Sequence, residues 1–286
     1  MRIRAPAKVN LFLRVVGKRK DGYHLLDTVM VPVGLYDEIT ITRRTSRRTG
    51  NGDLKVTCNH PLVPSGKENL AYRAASLLLK KTGVRDGIHI RIRKKIPVGG
   101  GLGGGSSDGA ATLLGLNRLF RLGWKRGELL SLAASLGADV PFFIYGRPAR
   151  ARGIGELLRP FRSFPRLWMV ILYPGFPVST RWVYQHLRIG KLTKTIENTS
   201  IKISPGDSEK LRRLLVNDLE RVAMRRYPRI AVLKERLLEE GAVAALMSGS
   251  GSSVYGIFSS RRTAGEAFRR LRKEEGVQAY LVRSLS

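Results

Sequence analysis

The 286-residue sequence predicts a mixed fold of strands and helices arranged in two domains. Alternating apolar and polar residues, typical of half-buried strands, are interspersed with apolar residues at helical spacing. A run of glycines, 99–105, joins one such strand to one such helix. The chain changes character between Phe161 and Pro174, so we expect a first domain at 1–158 and a second at 159–286, with the last strand free to pack on the first domain.

The first strand pattern runs from Ile3 to Val15. A strand places Lys8 and Asn10 on the face opposite the apolar side chains. From the residues alone, a solvated strand face is the favoured interpretation. The alternative is a site into which both side chains point, where a lysine neutralises phosphate and an asparagine bonds a hydroxyl or carbonyl group.

A turn is predicted at Asp21-Gly22, a common hairpin dipeptide. Tyr23 and His24 follow it, and ordinary packing is the default interpretation of both side chains. Beyond them we expect strands at 37–43 and 54–57, separated by a polar loop at 45–53.

A helix is predicted from Asn69 to Thr82, with Gly83 closing it. Asn69 is suited to cap that helix. A later helix from Leu129 ends at Gly137 and is followed closely by Asp139. A carboxylate there opposes the helix dipole, so Asp139 either caps the next helix or has a chemical role.

The glycine segment lies between a strand at 88–92 and a helix that Gly123 is expected to stop. Ser106, Ser107 and Asp108 are the candidate caps of that helix. Unpaired N–H groups in its first turn, together with the helix dipole, predict an anion site that a polyphosphate can approach closely.

Two better-known glycine motifs do not fit this segment. A Walker A loop requires a lysine before its serine, whereas Gly105 is followed directly by Ser106. A dinucleotide fingerprint requires a following strand that ends in an acidic residue, whereas this region looks helical through Glu128. A flexible linker also fits badly, because both flanks carry ordered patterns.

The second domain is predicted to open with a strand at 167–173. Helices at 208–223 and 228–240, a glycine segment at 248–253, a helix at 263–275 and a strand at 278–283 follow. The glycine segment could by itself be a hairpin turn. The polar connection at 188–207 is assigned no chemistry.

The composition restricts the class of protein. A formal charge of +30 indicates a solvated basic surface that attracts anionic nucleotides, with an additional polyanion contact as the alternative. A single cysteine, Cys58, excludes an internal disulfide and suits a reducing compartment. No signal core or membrane-length apolar run is present, so we expect a soluble cytoplasmic protein.

Five segments together resemble the GHMP small-molecule kinases, and the match is closest to a branch whose substrate carries cytidine diphosphate in non-mevalonate isoprenoid synthesis. They are Pro6–Leu11, Asp21–His24, Pro97–Ser107, Gly137–Pro141 and Ser248–Ser253. The resemblance implies a two-domain α+β GHMP kinase fold with the active site in the cleft between domains. It also implies transfer of phosphate from ATP, with Mg²⁺, to an alcohol; another small alcohol is the alternative substrate.

The resemblance further implies residue roles. Asp139 orients the accepting hydroxyl and takes its proton, while Lys8 stabilises charge on the moving phosphoryl group. The implied ATP-binding residues are Asn69, Lys94, Pro97, Val98, Gly99, Gly100, Gly101, Leu102, Gly103, Gly104, Gly105, Ser106 and Ser107. The implied substrate-binding residues are Asn10, Tyr23, His24, Thr180 and Tyr184, of which the two tyrosines stack on cytosine.

No protein ligand of the metal is identified by the sequence, and Ser106, Ser107 and Asp139 are all candidates. We expect a monomer or weak homodimer that requires neither a membrane nor nucleic acid. A basic nucleic-acid-binding protein and a catalytically idle ATP-binding scaffold are the competing classes.

Overall fold

The computed structural model describes residues 1–44, 53–188 and 208–286, within which the chain forms ten strands and nine helices. The strands are β1 (Arg2–Lys18), β2 (His24–Arg44), β3 (Leu54–Cys58), β4 (Gly87–Arg93), β5 (Ala149–Gly153), β6 (Leu157–Pro160), β7 (Trp168–Tyr173), β8 (Ala244–Met247), β9 (Val254–Phe258) and β10 (Gln278–Arg283). The helices are α1 (Leu70–Thr82), α2 (Gly104–Leu119), α3 (Arg126–Ala134), α4 (Val140–Tyr145), α5 (Thr180–Gln185), α6 (Ser208–Leu214), α7 (Glu220–Arg226), α8 (Arg229–Glu239) and α9 (Arg261–Leu271). Most of the polar loop predicted at 45–53 and of the connection predicted at 188–207 lies outside the described residues.

The chain divides into two compact units, each assembled from separate stretches. The first unit comprises Met1–Ala7, Leu35–Val98 and Gly103–Gly146, and the second comprises Lys8–Gly34, Gly99–Leu102 and Arg147–Ser286. Both contain strands and helices, which confirms the mixed α+β fold. The boundary expected between residues 158 and 159 stays a prediction.

In the first unit, the later half of β2 pairs antiparallel with β4, and β3 pairs parallel with β4. Ile39 lies opposite Ile92 and Ile41 opposite Ile90, and all four side chains are buried. The predicted alternation along these strands is therefore confirmed. Helices α1 and α2 pack against each other, and α1 ends where expected, because Gly83 adopts a φ of 71°.

In the second unit, the earlier half of β2 pairs antiparallel with β5, and β5 with β6. A second sheet has the order β10-β7-β9-β8, with every neighbouring pair antiparallel. Helices α8 and α9 contact this sheet and share an apolar core with it. After β10, the backbone N–H of Leu285 donates to the carbonyl of Pro32 at 2.8 Å.

The favoured interpretation of a solvated face on β1 is wrong. Lys8 is 5% exposed and Asn10 is 2% exposed, although both lie opposite the apolar positions in the alternation. Both faces of the strand are covered between Ala7 and Leu13. A buried lysine and asparagine need polar partners, so these two side chains are candidates for a functional site.

The single helix predicted at 208–223 is interrupted. α6 ends at Leu214 and α7 begins at Glu220, because the intervening chain bonds to β1. The N–H of Leu13 donates to Val216 and the N–H of Asp218 donates back to Leu13, at 2.8 and 3.0 Å. The helical spacing of apolar residues continues through this segment, so the sequence pattern alone could not predict its strand-like contact with β1.

Candidate functional site

Four successive carbonyl groups at 99–102 accept hydrogen bonds from the rest of the second unit. The donors are the N–H of Val178 to Gly99 at 3.1 Å, the N–H of Ser253 to Gly100 at 3.1 Å, Ser248 Oγ to Gly101 at 3.0 Å and the N–H of Lys8 to Leu102 at 2.9 Å. Engaged carbonyls are held toward protein donors, so their negative oxygen atoms are less able to repel an approaching anion. The backbone of this segment is fixed, not flexible.

Two of the glycines are required because neighbouring atoms occupy the space that a Cβ atom would need. Gly101 has a φ of 76°, and a Cβ atom there would lie 2.1 Å from the carbonyl oxygen of Ser248. A Cβ atom on Gly99, whose φ is 69°, would lie 2.5 Å from Pro177 Cβ. No side chain fits at either position, so the flexible-linker interpretation is wrong.

The expected serine or aspartate cap of α2 is also wrong. The helix begins earlier, at Gly104, because Gly103 at the N-cap already turns the chain with a φ of 71°. No side chain of the described residues caps this end. The N–H of Ser107 donates to Gly103 at 2.9 Å, so the N–H groups of Gly104, Gly105 and Ser106 precede the first helical bond.

Gly105 differs from the glycines that are required by crowding. It is exposed, and the nearest atom to a Cβ placed there is 3.9 Å away, on Leu70. Local packing therefore does not require glycine at this position. A missing side chain instead keeps the helix N-terminus open, as an anion site needs.

Two buried polar atoms beside this helix end have no hydrogen-bond partner among the described residues. They are Ser107 Oγ and Asp108 Oδ1. Their residues are only 1% and 3% exposed. A buried polar atom without a hydrogen-bond partner costs free energy. The hydroxyl of Ser107, which lies near the uncapped amides of the helix, would gain a partner if a phosphate group bound there.

Lys94 has a different environment from the one expected for a nucleotide contact. Its ammonium group forms buried ion pairs with Asp37 and, at 2.9 Å, with Asp108. Asp37 Oδ1 also accepts the N–H groups of Lys95 and Ile96 at 2.6 and 2.9 Å. The three side chains, which we call the Lys94 triad, connect β2, the end of β4 and the start of α2. An ATP contact of Lys94 stays a prediction.

Burial raises the pKa of Asp108 to about 8, with the nearby Asp37 adding to the rise and Lys94 opposing it. Burial lowers the pKa of Lys94, but the two carboxyl groups more than offset this, so that pKa is raised. At neutral pH, a protonated Asp108 leaves one cation and one carboxylate in the triad. The cluster is therefore close to neutral, which suits its burial.

Asn69 acts as the helix cap. Its Oδ1 accepts the N–H of Ala71 at 2.8 Å, and its Nδ2 donates to the carbonyl of Pro64 at 2.7 Å. Of the two interpretations of Asn69, the cap is confirmed. An adenine contact stays a prediction.

Asp139 occupies the N-cap position of α4, and Pro141 lies in the first turn as expected. Its side chain nevertheless makes no cap hydrogen bond to that helix within the described chain. The capping interpretation of this carboxylate is therefore wrong. Asp139 is half-buried, which leaves it accessible for chemistry.

Tyr23 and His24 follow the predicted turn, which the N–H of Gly22 closes by donating to Arg19 at 3.0 Å. Tyr23 is 61% exposed, so packing does not explain it. His24 stacks on Tyr184 of α5, with ring centroids 5.0 Å apart. Burial, followed by the charge of Lys18, lowers the pKa of His24 and favours a neutral ring at pH 7.

Thr180, at the first position of α5, lies beside the glycine segment at 248–253. Its hydroxyl is 2.8 Å from Ser250 Oγ. Ser248 and Ser253 in the same segment bond to the backbone at 100–101, as described above. The segment connects β8 to β9, so it is a turn between strands, and it also braces the glycine loop.

The predicted residues are divided between the two compact units. The first unit holds Asn69, Lys94, Pro97, Val98, Gly103, Gly104, Gly105, Ser106, Ser107 and Asp139. The second holds Lys8, Asn10, Tyr23, His24, Gly99, Gly100, Gly101, Leu102, Thr180 and Tyr184. Within the second, Lys8 Nζ donates to Asn10 Oδ1 at 2.5 Å, and His24 meets Tyr184.

Sequence reasoning missed Asp37 and the pairing of Asp108 with Lys94. Asp37 was assigned only to a strand, and Asp108 only to a helix cap. The available signal was an acidic residue at the start of an apolar strand pattern, but its partners lie 57 and 71 residues away and cannot be read from local spacing.

Two family models match the chain: "GHMP kinases N terminal domain" at residues 69–147 and "GHMP kinases C terminal" at residues 196–278. These matches and the fold define the class as the GHMP kinases. A homoserine kinase structure from Cytophaga hutchinsonii, 19% identical, shares the fold with a TM-score of 0.75 over 100% of this chain and 94% of its own.

Proteins more similar to this chain than the homoserine kinase show which branch of the GHMP kinases it belongs to. The 4-diphosphocytidyl-2-C-methyl-D-erythritol kinases of Syntrophotalea carbinolica and Citrifermentans bemidjiense are 46% and 47% identical over 97% and 100% of this chain, and 96% and 99% of their own lengths. A crystal structure of a 4-(cytidine 5'-diphospho)-2C-methyl-D-erythritol kinase is 37% identical, with a TM-score of 0.82 over 100% of both chains. The chain belongs to the 4-diphosphocytidyl-2-C-methyl-D-erythritol kinase family and is a small-molecule kinase. No helix in the described ranges has the length and apolar character to span a bilayer.

We expect Asp108→Asn to change the pH dependence of stability. The folded pKa of Asp108, about 8, lies above its ordinary value of 3.8, so its contribution is full below pH 4 and is lost as pH rises through 8. The neutral amide avoids this loss, which has a slope of at most about 1.4 kcal/mol per pH unit. Urea unfolding should show an advantage of the variant that grows from pH 5 to about pH 8 and stays constant above it.

The control for Asp108→Asn is Asp86→Asn, which removes a carboxylate from a surface ion pair with Arg43 in the same unit. An Asp108→Asn variant whose stability runs parallel to that of the parent across this pH range contradicts the assignment of a protonated Asp108.

We expect Gly105→Ala to separate stability from nucleotide binding. Alanine favours a helix by up to about 1 kcal/mol over glycine, and the added methyl group has room in the protein. It would, however, occupy the open helix end, so the KM for ATP should rise about tenfold while the melting temperature holds or rises.

Gly127→Ala is the matched control, because Gly127 occupies the same second helical position in α3 and a Cβ atom added there would meet nothing within 4 Å. Its KM for ATP should equal that of the parent. An unchanged KM in Gly105→Ala would show that phosphate does not approach this helix end.

Proposed function

We propose that this kinase transfers the γ-phosphoryl group of ATP to the 2-hydroxyl of 4-diphosphocytidyl-2-C-methyl-D-erythritol, giving the 2-phosphate and ADP in isoprenoid precursor synthesis. The family of the chain supports this substrate, since the relatives that match nearly its full length carry that name. The observation that carries the mechanism is the start of α2 at Gly104–Ser106, which has no side-chain cap within the described chain and where Gly105 is exposed, preceded by a fixed glycine loop.

The phosphates of ATP are assigned to this loop and helix end. Backbone N–H groups at Gly104, Gly105 and Ser106 are suitable donors, and the helix dipole favours an anion there. The hydroxyl of Ser107 is buried and has no partner within the described chain, so it can donate without losing another bond. Kinases of this family use ATP, and these residues fit its phosphate groups.

Mg²⁺ is part of the proposal as the ion that neutralises the ATP phosphates. The described residues contain no cluster of three or more His, Cys, Asp or Glu side chains that could hold a metal. That absence is compatible with Mg²⁺, which usually takes one or two protein oxygens besides phosphates and water. Ser106, Ser107 and Asp139 remain the candidate ligands.

Asp139 is assigned as the base that orients the accepting hydroxyl and takes its proton. It supplies no cap bond to α4, so its position is not explained by helix stability alone. Lys8 is assigned to stabilise the charge of the transferred phosphoryl group. The active-site cleft between domains stays a prediction.

The cytidine moiety is assigned to Tyr23, His24 and Tyr184. An exposed tyrosine next to a stacked histidine and tyrosine offers aromatic faces to a base. A neutral His24 has one nitrogen that donates and one that accepts, which suits the edge of cytosine. Asn10 and Thr180 are assigned to the remaining polar groups of the substrate.

We also propose the compartment, oligomeric state and partners of the enzyme. The enzyme works in the cytoplasm as a monomer or weak homodimer and requires neither membrane nor nucleic acid. Its formal charge of +30 attracts anionic nucleotides to the molecule.

Asp139→Asn should abolish most phosphoryl transfer, because the amide keeps the shape but cannot accept a proton. We expect kcat to fall about 10²- to 10⁴-fold in an assay of ADP release with the cytidyl substrate. Asp86→Asn should keep the parent kcat.

Equal kcat values for Asp139→Asn and the parent would contradict the assigned base and favour an idle scaffold or another catalytic group. The same assay with mevalonate and homoserine tests the substrate. Faster turnover of either would favour a GHMP kinase acting on another alcohol.

Tyr23→Ala should weaken binding of the cytidyl substrate. Loss of one base-stacking ring is worth about 1–3 kcal/mol, so KM should rise roughly 5- to 150-fold. The KM for ATP and the melting temperature should stay near those of the parent, because Tyr23 is 61% exposed. Tyr280→Ala, on β10, is the control, and an unchanged KM in Tyr23→Ala contradicts the stacking assignment.

A further inference from the structure

Thr28 of β2 is a buried residue that no role proposed above uses. It is 2% exposed and lies in the second unit with Lys8, Asn10 and Phe12. Its hydroxyl donates to the carbonyl oxygen of Phe12 at 2.5 Å. Asn10 Nδ2 donates to Thr28 Oγ1 at 2.9 Å. The hydroxyl therefore gives one hydrogen bond and receives another.

The direction of these bonds follows from the atoms involved. A carbonyl oxygen can only accept, so the single hydroxyl proton of Thr28 must point at Phe12. Thr28 Oγ1 is then only an acceptor toward Asn10, which must present its NH₂ group. The other side of the amide, Oδ1, consequently faces Lys8 Nζ at 2.5 Å.

The opposite orientation of Asn10 would be unfavourable at both ends. Its Oδ1 would meet a hydroxyl oxygen that has no proton left to give, and its NH₂ group would meet the ammonium of Lys8. The backbone of Asn10 is fixed as well, because the buried hydroxyl of Tyr255 donates to its carbonyl at 2.8 Å. Only the amide rotation is left to be set, and Thr28 sets it.

We propose that Thr28 is a positioning residue for phosphoryl transfer: through the amide of Asn10, its hydroxyl holds the ammonium of Lys8 in place. The inference rests on the role of Lys8 in the proposed function. The ammonium of a lysine has no preferred planar geometry, so its position depends on the acceptors around it. A fixed acceptor oxygen reduces the range of positions that it occupies.

The test compares Thr28→Val with Thr28→Ser by steady-state kinetics. Valine keeps the shape of threonine but lacks the hydroxyl, so kcat should fall about 10- to 100-fold, as expected for a misplaced catalytic group. The KM for ATP should change less than about threefold, because the hydroxyl of Thr28 bonds to Phe12 and Asn10 and not to the glycine loop. Serine keeps the hydroxyl and should restore kcat to near the parent value.

Thr57→Val on β3 is the matched control, because it also removes a strand threonine hydroxyl, which bonds to His89 at 2.9 Å. Its kcat should equal that of the parent. Should Thr28→Val fail to fold, Thr28→Cys keeps a side chain of similar size with only a weak hydrogen-bonding group, and it should also lower kcat. A parent-like kcat in either folded variant overturns the inference, as does a lack of rescue by serine.

A double variant tests the route through Asn10. If Thr28 acts by orienting that amide, Thr28→Val/Asn10→Ala should be no slower than Asn10→Ala alone. Independent, multiplying losses overturn the inference. Lys8→Met distinguishes a failure of the proposed function from a failure of the inference about Thr28. A parent-like kcat in Lys8→Met contradicts the proposed role of Lys8. A low kcat in Lys8→Met together with a parent-like kcat in Thr28→Val contradicts only the role of Thr28.

Discussion

The bonding of four consecutive carbonyl groups at 99–102 is the constraint on which the rest of the site depends. Donors from β1, the segment at 248–253 and the chain before α5 fix these oxygens within the second unit. A polyphosphate would be repelled by exposed carbonyl oxygens and attracted by amide N–H groups. These carbonyl oxygens are fixed by their donors, and the chain then enters α2, whose first N–H groups are uncapped within the described chain. The glycines at 99 and 101 are required by that close contact, since neither has space for a Cβ atom.

Lysines 8 and 94 are both buried but serve different purposes. Lys94 is neutralised by its pairing with Asp37 and Asp108, so it joins three elements of the first unit and brings little net charge to a nucleotide. Lys8 bonds to the amide oxygen of Asn10 within the second unit, so this contact is made to a neutral group and not to a carboxylate. The role proposed for Lys8 is to stabilise the charge of the transferred phosphoryl group.

Sequence periodicity predicted the strands around Ile39 and Ile90 and the helix that Gly83 ends, whereas the anion site after the glycine run stays a prediction. These features depend on local spacing, or on glycine and its special backbone geometry. The solvated face on β1 and the unbroken helix through Asn217 were wrong, because both depend on contacts with distant segments. The candidate caps Ser106, Ser107 and Asp108 of α2, and the capping alternative for Asp139, were wrong for a related reason: the residue types suit capping, but the helices begin without using them.

Thr28 and the Lys94 triad could not have been found from spacing. Their residue types are ordinary for the strand, loop and helix positions that they occupy, and their roles depend on partners far along the chain. Thr28 lies 16 residues after the carbonyl that fixes its proton, and Asp37 lies 57 residues before the lysine it pairs with. The resemblance to a kinase family implied roles for Lys8 and Lys94. The structure adds the groups that bond to their ammonium ends, which belong to Asn10 for Lys8 and to Asp37 and Asp108 for Lys94.

The most direct test of the phosphate site is a titration of ¹⁵N-glycine-labelled protein with a non-hydrolysable ATP analogue and Mg²⁺, followed by NMR of the glycine amides. We expect the resonances of Gly104 and Gly105 to move most, since their N–H groups would donate to phosphate oxygens. The amides of Gly127 and Gly265, in α3 and α9, should stay in place. Saturable binding that shifts other glycines and leaves residues 99–105 unmoved would contradict the account.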